Sequence, residues 1–276
     1  MKSSLLLTLS LIITSSPFAA AAKTITVSGS TSVARIMDVL AESYEKQNPE
    51  HSIAVQAVDS SAGITLVNKG VVPIGMSSRY LTEAEKEPSM VVETLAYDGL
   101  AVVVNKANPI DNLTEKQLFN IYQGKITNWS ELGGPDKKIA VVTREASSGS
   151  RYSFETLLGL TQIINEQLVS NANPGNLVVN SNGMMKTLVS NNPQSIGFIS
   201  LGSVDQSVKA LKFNGIEASN RNIANQSYGL IRPFIILYHH DRLDEEARAF
   251  IDYLHSKEAK QLMNDYGYSA NKTAVQ

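Results

Sequence analysis

Three times in this chain a short strand-like run stops at a hydroxyl- and glycine-rich turn, and a helical pattern begins at once. Thr24-Ile25-Thr26-Val27 alternates like a strand and ends in Ser28-Gly29-Ser30-Thr31-Ser32. Val33, Ile36, Met37, Leu40 and Tyr44 then recur at helical spacing. Ser52 to Val58 runs into Asp59-Ser60-Ser61-Ala62-Gly63, ahead of a helix carrying Ile64, Leu66 and Val67. Ile139-Ala140-Val141-Val142 runs into Thr143-Arg144-Glu145-Ala146-Ser147-Ser148-Gly149-Ser150-Arg151, ahead of a helix with Phe154, Leu157 and Leu158 on one face. A further buried run, Pro73-Ile74-Gly75-Met76, ends in Ser77-Ser78-Arg79. Strands that alternate with helices in this way predict an α/β architecture, with ligands held at the carboxyl ends of the strands. Each turn offers free helix N-terminal N–H groups and the positive end of a helix dipole. Hydroxyls, a glycine that lets backbone approach a ligand, and Arg144 complete donors for a tetrahedral oxyanion.

The 276 residues, 43% of them hydrophobic, suffice for two domains. The absence of cysteine excludes disulfides, thiol catalysis, thiolate metal sites and a lipid anchor built on cysteine. A formal charge of -2, with no basic run, gives no footing for nucleic acid. Residues 1–22 read as a signal peptide. Lys2 starts it, Leu5 to Ile13 is its apolar stretch, and Ala20-Ala21-Ala22 is a small-residue cleavage site that leaves a mature chain from Lys23. No later run is long and apolar enough to span a membrane, so a soluble periplasmic product is expected.

Leu100 to Val104 predicts a buried strand, and 105–112 a polar crossover between domains. Thr114 and Gln117 make a capping-box pattern before a helix carrying Leu118, Ile121 and Tyr122. Leu177-Val178-Val179, a helix from Asn182 to Val189, Ile196 to Ile199 and Lys209 to Phe213 continue the alternation. Gly229 to Tyr238 is a long run able to cross back, and the chain closes on helices 244–254 and 256–263. Tyr97 and Trp129 read as packing residues. The four histidines show no metal-ligand spacing, and no cofactor-binding or hydrolase motif is present, so neither metal nor cofactor is expected.

In this order and spacing the pieces resemble the PstS-like phosphate-binding proteins of ABC importers, over the whole mature chain. The pieces are Ser28-Gly29-Ser30-Thr31-Ser32-Val33, Ser60-Ser61-Ala62-Gly63, Ser77-Ser78-Arg79, Asp98-Gly99, the block from Leu113 to Trp129, and Arg144 through Ser150. The resemblance implies a type II-like periplasmic binding fold. Each of its two lobes is a mixed sheet flanked by helices, and two crossover strands join them. Residues 23–104 with 231–276 form one lobe and 105–230 the other. It implies a non-catalytic monomer that clamps inorganic phosphate and delivers it to an ABC permease in the inner membrane. By the same carry-over the phosphate contacts are Thr31, Ser32, Val33, Ser60, Arg144, Ser148, Gly149 and Ser150; Ser30, Ser78, Arg79 and Asp98, beside them in the turns and at the crossover strand, complete the expected phosphate-binding set.

One position departs from the family's pattern. Ser78 stands where some members carry an aspartate that accepts the proton of bound phosphate, a device that rejects unprotonated sulfate. Asp98 is the expected replacement acceptor, while Arg79 and Arg151 could add positive field. Three rival readings stay open: a receptor for sulfate, molybdate or another oxyanion; a phosphatase-like hydrolase using Ser148 or Ser32; and an adhesin or sensor on the same fold.

Overall fold

The computed structural model describes residues 23–165 and 167–270. The expected leader, residues 1–22, lies outside them. Strand β1 (Lys23–Ser30), helix α1 (Thr31–Gln47), β2 (His51–Val58), α2 (Ser60–Asn68) and β3 (Ile74–Ser77) form two successive crossovers. Both β2 and β3 pair in parallel with β1. This is the arrangement a strand–helix–strand connection favours. Gly29 makes the tight packing possible. Its φ is +147°, and a Cβ there would fall 2.1 Å from the Met76 carbonyl oxygen.

The 15-residue β4 (Met90–Val104) joins two halves of one sheet. A short β5 (Asn112–Leu113) and α3 (Glu115–Tyr122) follow. Thr114 and Gln117 close the expected capping box on α3, with the Gln117 amide donating to Thr114 Oγ1 and Gln117 Oε1 accepting from Thr114. Next come β6 (Ala140–Arg144), α4 (Gly149–Leu157), a hairpin of β7 (Thr161–Ile164) and β8 (Gln167–Ser170), and β9 (Leu177–Val179). Then α5 (Asn182–Asn191), β10 (Ser195–Ser200), β11 (Lys209–Ala210), β12 (Lys212–Phe213) and α6 (Asn220–Ala224) lead to β13 (Ile231–His239), α7 (Glu245–Leu254) and α8 (Lys257–Asp265). The main sheet runs β2-β1-β3-β13-β4-β10-β6-β9, with β11 beside β4.

The two halves meet inside β4. It pairs antiparallel with β13 from Met90 to Gly99, and with β10 from Leu100 to Val104. The change of partners therefore comes earlier than the 105–112 segment expected to make it. That segment folds with the second half, where Asn112 and Leu113 pair with β12. Lys209 to Phe213, expected as one strand, is broken into β11 and β12 because the two pairs bond to different partners.

Each half has its own core. Val33, Met37 and Leu40 of α1 pack with Val27, Ile74, Ile236, Phe250 and Met263. Leu100 to Val104, Leu118, Tyr122, Phe154, Phe198 and Leu230 build the other. There Phe154 and Phe198 stack at 3.9 Å between centroids. Trp129 belongs to this second core, its indole N–H donating to the Gln194 carbonyl at 3.0 Å. Two cores joined by paired strands make a two-lobe α/β molecule, as the resemblance implied.

Candidate functional site

Four helices begin at one place. Ser30 caps α1, its Oγ accepting from the amides of Ser32 and Val33 at 3.3 and 3.5 Å. Asp59 caps α2, and Ser148 caps α4 by accepting from the Arg151 amide. Ser181 caps α5, a fourth strand–turn–helix unit that follows β9. Side-chain caps let each helix start at the strand end rather than a turn later. The first turns of α1 and α2, from one lobe, thereby meet those of α4 and α5 from the other.

Close contacts join the lobes there. Ser32 Oγ lies 3.2 Å from Ser150 Oγ, and Asn182 Nδ2 donates to Ser32 Oγ at 3.1 Å. The Ser61 hydroxyl donates to the Ser147 carbonyl, and the Ser153 hydroxyl to the Ser78 carbonyl. Ser60 Oγ accepts from the Ser78 amide at 3.1 Å and lies 3.4 Å from Ser78 Oγ. A Cβ on Gly149 would fall 2.2 Å from Ser60 Oγ, so only glycine fits that approach. Ser30, Ser32, Ser60, Ser78, Ser148 and Ser150 are all buried. The lobes are closed on each other.

Arg144, only 1% exposed, enters from the end of β6. Its Nε and Nη2 donate to the two carboxylate oxygens of Glu145 at 2.8 and 2.7 Å, a bidentate pair. Nη2 also reaches the Asn180 carbonyl and Thr31 Oγ1. Its Nη1 is buried with no hydrogen-bond partner among the described residues. A buried guanidinium donor without an acceptor is costly, and it marks the place an anion would fill.

Two sequence expectations need correction. Asp98 was expected to face the cleft as a free acceptor of the ligand's proton. Instead it is fully buried, and both its oxygens are taken. Oδ1 accepts from the Ser200 hydroxyl at 2.9 Å and the Leu201 amide at 3.2 Å. Oδ2 receives Arg232 Nε at 2.9 Å, with Arg232 Nη2 at 2.8 Å. Burial pushes the Asp98 carboxyl above its ordinary value, against the pull of Arg232, Ser200 and Leu201. Arg79 was expected to add field to the cleft. Its guanidinium instead holds both oxygens of Glu85 at 2.7 and 2.6 Å, donates to Ser61 Oγ, and stacks over the Tyr152 ring of the other lobe at 5.0 Å. It is a buried latch at the cleft edge. Arg151 is likewise paired, with Glu155 at 2.8 Å.

Two residues outside the sequence expectations join the site. Arg232 of β13, 1% exposed, donates through Nη1 to Ser150 Oγ at 2.6 Å. Asn182 of α5, 7% exposed, reaches Ser32. Arg232 was legible as the one charge inside the apolar run from Gly229 to Tyr238. Asn182 was legible as the first residue of a helix following a strand and a Ser cap.

The site is made largely of donors: helix N-termini, guanidinium N–H groups, and hydroxyls of which Ser32, Ser60 and Ser150 already accept one protein N–H each. Such a set binds a small multivalent anion. No cluster of three or more His, Asp or Glu able to hold a metal occurs among the described residues. The four histidines lie elsewhere, against Tyr44, Ser89, Arg248 and Glu93.

A family model described as a PBP superfamily domain matches residues 14–258. The phosphate-binding protein PstS of Borreliella burgdorferi is 32% identical over 255 residues, which is 91% of each chain. Among solved structures, an ABC-type phosphate transport receptor from Vibrio cholerae is 59% identical, with a TM-score of 0.75 over 89% of this chain and 99% of that one. A putative phosphate ABC transporter substrate-binding protein from Clostridium perfringens, with bound phosphate, is 38% identical. Its TM-score is 0.84 over 90% of this chain and 99% of that one.

Proposed function

Because the chain belongs to the PBP superfamily, and within it to the PstS-like phosphate-binding proteins, we propose that it captures inorganic phosphate between its lobes and hands it to an ABC permease. The observation that carries this reading is the unpartnered, buried Nη1 of Arg144, on a guanidinium that reaches Thr31 at the start of α1, where the buried hydroxyls of Ser32 and Ser150 meet across the lobes. A phosphate oxygen beside Nη1 completes that donor's hydrogen bonding, and the remaining oxygens meet hydroxyls and amides. In this reading Thr31, Ser32, Ser60, Ser78, Arg144, Gly149 and Ser150 surround the anion, with the Val33 amide behind them and Ser30 and Ser148 shaping the turns.

The lobe boundaries we assign are at Gly99–Leu100 and Leu230–Ile231, five residues earlier than the sequence reading on the first strand. Their support is the change of strand partners inside β4 and the separation of the two cores. Capture then follows from hinge closure about β4 and β13, and release from reopening at the permease. The protein works as an extracytoplasmic monomer and carries out no chemistry on its ligand. A hydrolase would need a base beside a serine. The site's serines instead contact one another, Asn182, Arg232 and backbone amides.

Calorimetric titration of phosphate-stripped mature protein tests the reading. Phosphate should bind tightly, and Arg144→Ala should weaken it at least about tenfold, given the ~1.5–3 kcal/mol of a charged hydrogen bond and the charge left on Glu145. Unchanged affinity in Arg144→Ala sinks the site assignment. Tight binding of sulfate alone transfers the reading to another oxyanion.

A further inference from the structure

Phosphate near neutral pH carries at least one O–H, and sulfate carries none. A receptor that separates the two needs an acceptor aimed at that proton, and neither carboxylate expected to serve is free. Position 78 is a serine, and Asp98 is engaged at both oxygens by Arg232, Ser200 and Leu201. Glu145 is likewise held at both oxygens by Arg144.

The hydroxyls of the site are wired as donors. Ser150 Oγ receives Arg232 Nη1, Ser32 Oγ receives Asn182 Nδ2, and Ser60 Oγ receives the Ser78 amide. With a lone pair occupied, each hydroxyl is biased to point its own proton outward, toward a neighbouring hydroxyl or a bound anion. One group at this site can only accept and has nothing to accept from. Asn182 Oδ1 is buried without a hydrogen-bond partner among the described residues, on a side chain 7% exposed. Its Nδ2 donates to Ser32 Oγ at 3.1 Å, so Oδ1 is the end of the amide left to accept.

We propose that Asn182 accepts the proton of bound phosphate and so is the residue that separates phosphate from sulfate in this protein. The inference rests on the phosphate reading above. A neutral amide oxygen does the work with less repulsion of a dianion than a carboxylate would exert. An unprotonated anion would place an oxygen against Oδ1, lone pair to lone pair, and leave the amide unsatisfied.

The test is calorimetric titration of phosphate-stripped mature protein with phosphate and, separately, with sulfate, for wild type, Asn182→Leu and Asn182→Asp. Thermal melting of each unliganded variant verifies folding. Wild type should prefer phosphate. Asn182→Leu should lose about tenfold to a hundredfold in phosphate affinity while sulfate affinity holds or rises, so the preference collapses. Asn182→Asp keeps an acceptor and adds a charge, so phosphate should still bind and sulfate should weaken by at least about tenfold relative to it. Equal losses for both anions in Asn182→Leu would mean that the amide only positions Ser32, and would overturn the proposal. So would an unchanged preference. Should Asn182→Leu fail to fold, equal weakening of both anions in Asn182→Asp overturns it instead. Wild type that binds both anions alike defeats the role of Asn182 and leaves an oxyanion receptor standing. Wild type that binds neither defeats the phosphate reading itself.

Discussion

Gly149 offers a way to block closure without touching the fold. It is the first residue of α4, in one lobe, and faces Ser60 and Ser78 in the other. A methyl group there would lie 2.2 Å from Ser60 Oγ, 2.7 Å from Ser78 Oγ and 2.9 Å from Ser60 Cβ. A rotamer change moves the hydroxyl but not the Cβ, and the hydroxyl is itself held by the Ser78 amide. The lobes must therefore stay a few tenths of an ångström apart, or α2 must shift. Overpacking of this kind costs about 1–3 kcal/mol. The cost falls on the closed form alone, because in an open form the two surfaces are separated. Phosphate affinity in Gly149→Ala should then drop by about fivefold to 150-fold. The unliganded protein should melt at the wild-type temperature or slightly above it, since alanine is the better helix former. Calorimetry gives the affinity, and melting with and without phosphate gives the stabilisation by ligand, which should shrink in step. Unaltered affinity, or an unliganded variant destabilised as much as the complex, would refute the idea that closure onto Ser60 is coupled to binding.

Three further outcomes follow from the same geometry. Asp98→Asn keeps the acceptor for Ser200 and Leu201 but leaves Arg232 buried without its counter-charge, so unfolding free energy should fall by ~3 kcal/mol in denaturant titration; a change under about 1 kcal/mol counts against a structural ion pair. Gly29→Ala should abolish soluble expression or cost more than about 3 kcal/mol, because φ is +147° and the new methyl overlaps the Met76 carbonyl; a wild-type melting curve contradicts the close strand packing. Burial raises Glu85, but hydrogen bonds from Arg79 and Thr82 outweigh it and leave the carboxyl below its ordinary 4.5. A lowered folded value means stabilisation that is complete above pH 4.5 and disappears as pH falls through the folded value. The melting-temperature gap between wild type and Glu85→Gln should therefore close in acid, and a gap constant with pH would rule the latch out.

Much of this site is legible along the chain because its parts are local. Each turn is set by a capping side chain next to a strand that ends in apolar residues, and neither cause reaches further than a few positions. Thr114 caps where the sequence pattern placed a cap, and Ser30 and Ser148 cap inside the Ser/Gly turns where the pattern started helices. Arg144 also follows from its place between a strand and a Ser/Gly turn. What the pattern does not reveal is pairing across the chain. Asp98 lies 134 residues from Arg232, and nothing in the spacing around Asp98-Gly99 signals a cation opposite it. The antiparallel register of β4 and β13 sets the two directly across from each other. Arg79 escaped for a different reason, since its partner Glu85 is only six residues away. Glu83, Glu85 and Glu87 look like one solvated face, and only the tight turn after Thr82 singles out Glu85. The break between β11 and β12 and the hairpin of β7 and β8 escaped because runs this short carry no period to read.

The four arginines around the cleft share a property that bears on how an anion is held. Arg79, Arg144, Arg151 and Arg232 each hold a carboxylate, from Glu85, Glu145, Glu155 and Asp98. Four positive charges are thus answered by four negative ones within the protein. None of these four is left as a surplus cation to neutralise a phosphate by charge alone. Two of these pairs, on Arg144 and Arg232, are nevertheless in the site and still offer N–H groups, to Thr31 and to Ser150. Pairing does not remove the donors; it fixes their direction. A guanidinium held at two points by a carboxylate cannot rotate, so its remaining N–H groups are aimed before any ligand arrives. Helix N-termini add partial charges that carry no counterions, and oriented hydroxyls add dipoles of the same sense. The anion is then met by many small dipoles already pointing at it, not by one large charge that any anion could satisfy. In such an arrangement discrimination falls to whichever group departs from the common direction. Among the buried side chains at this site the one that departs, an acceptor among donors, is the amide oxygen of Asn182.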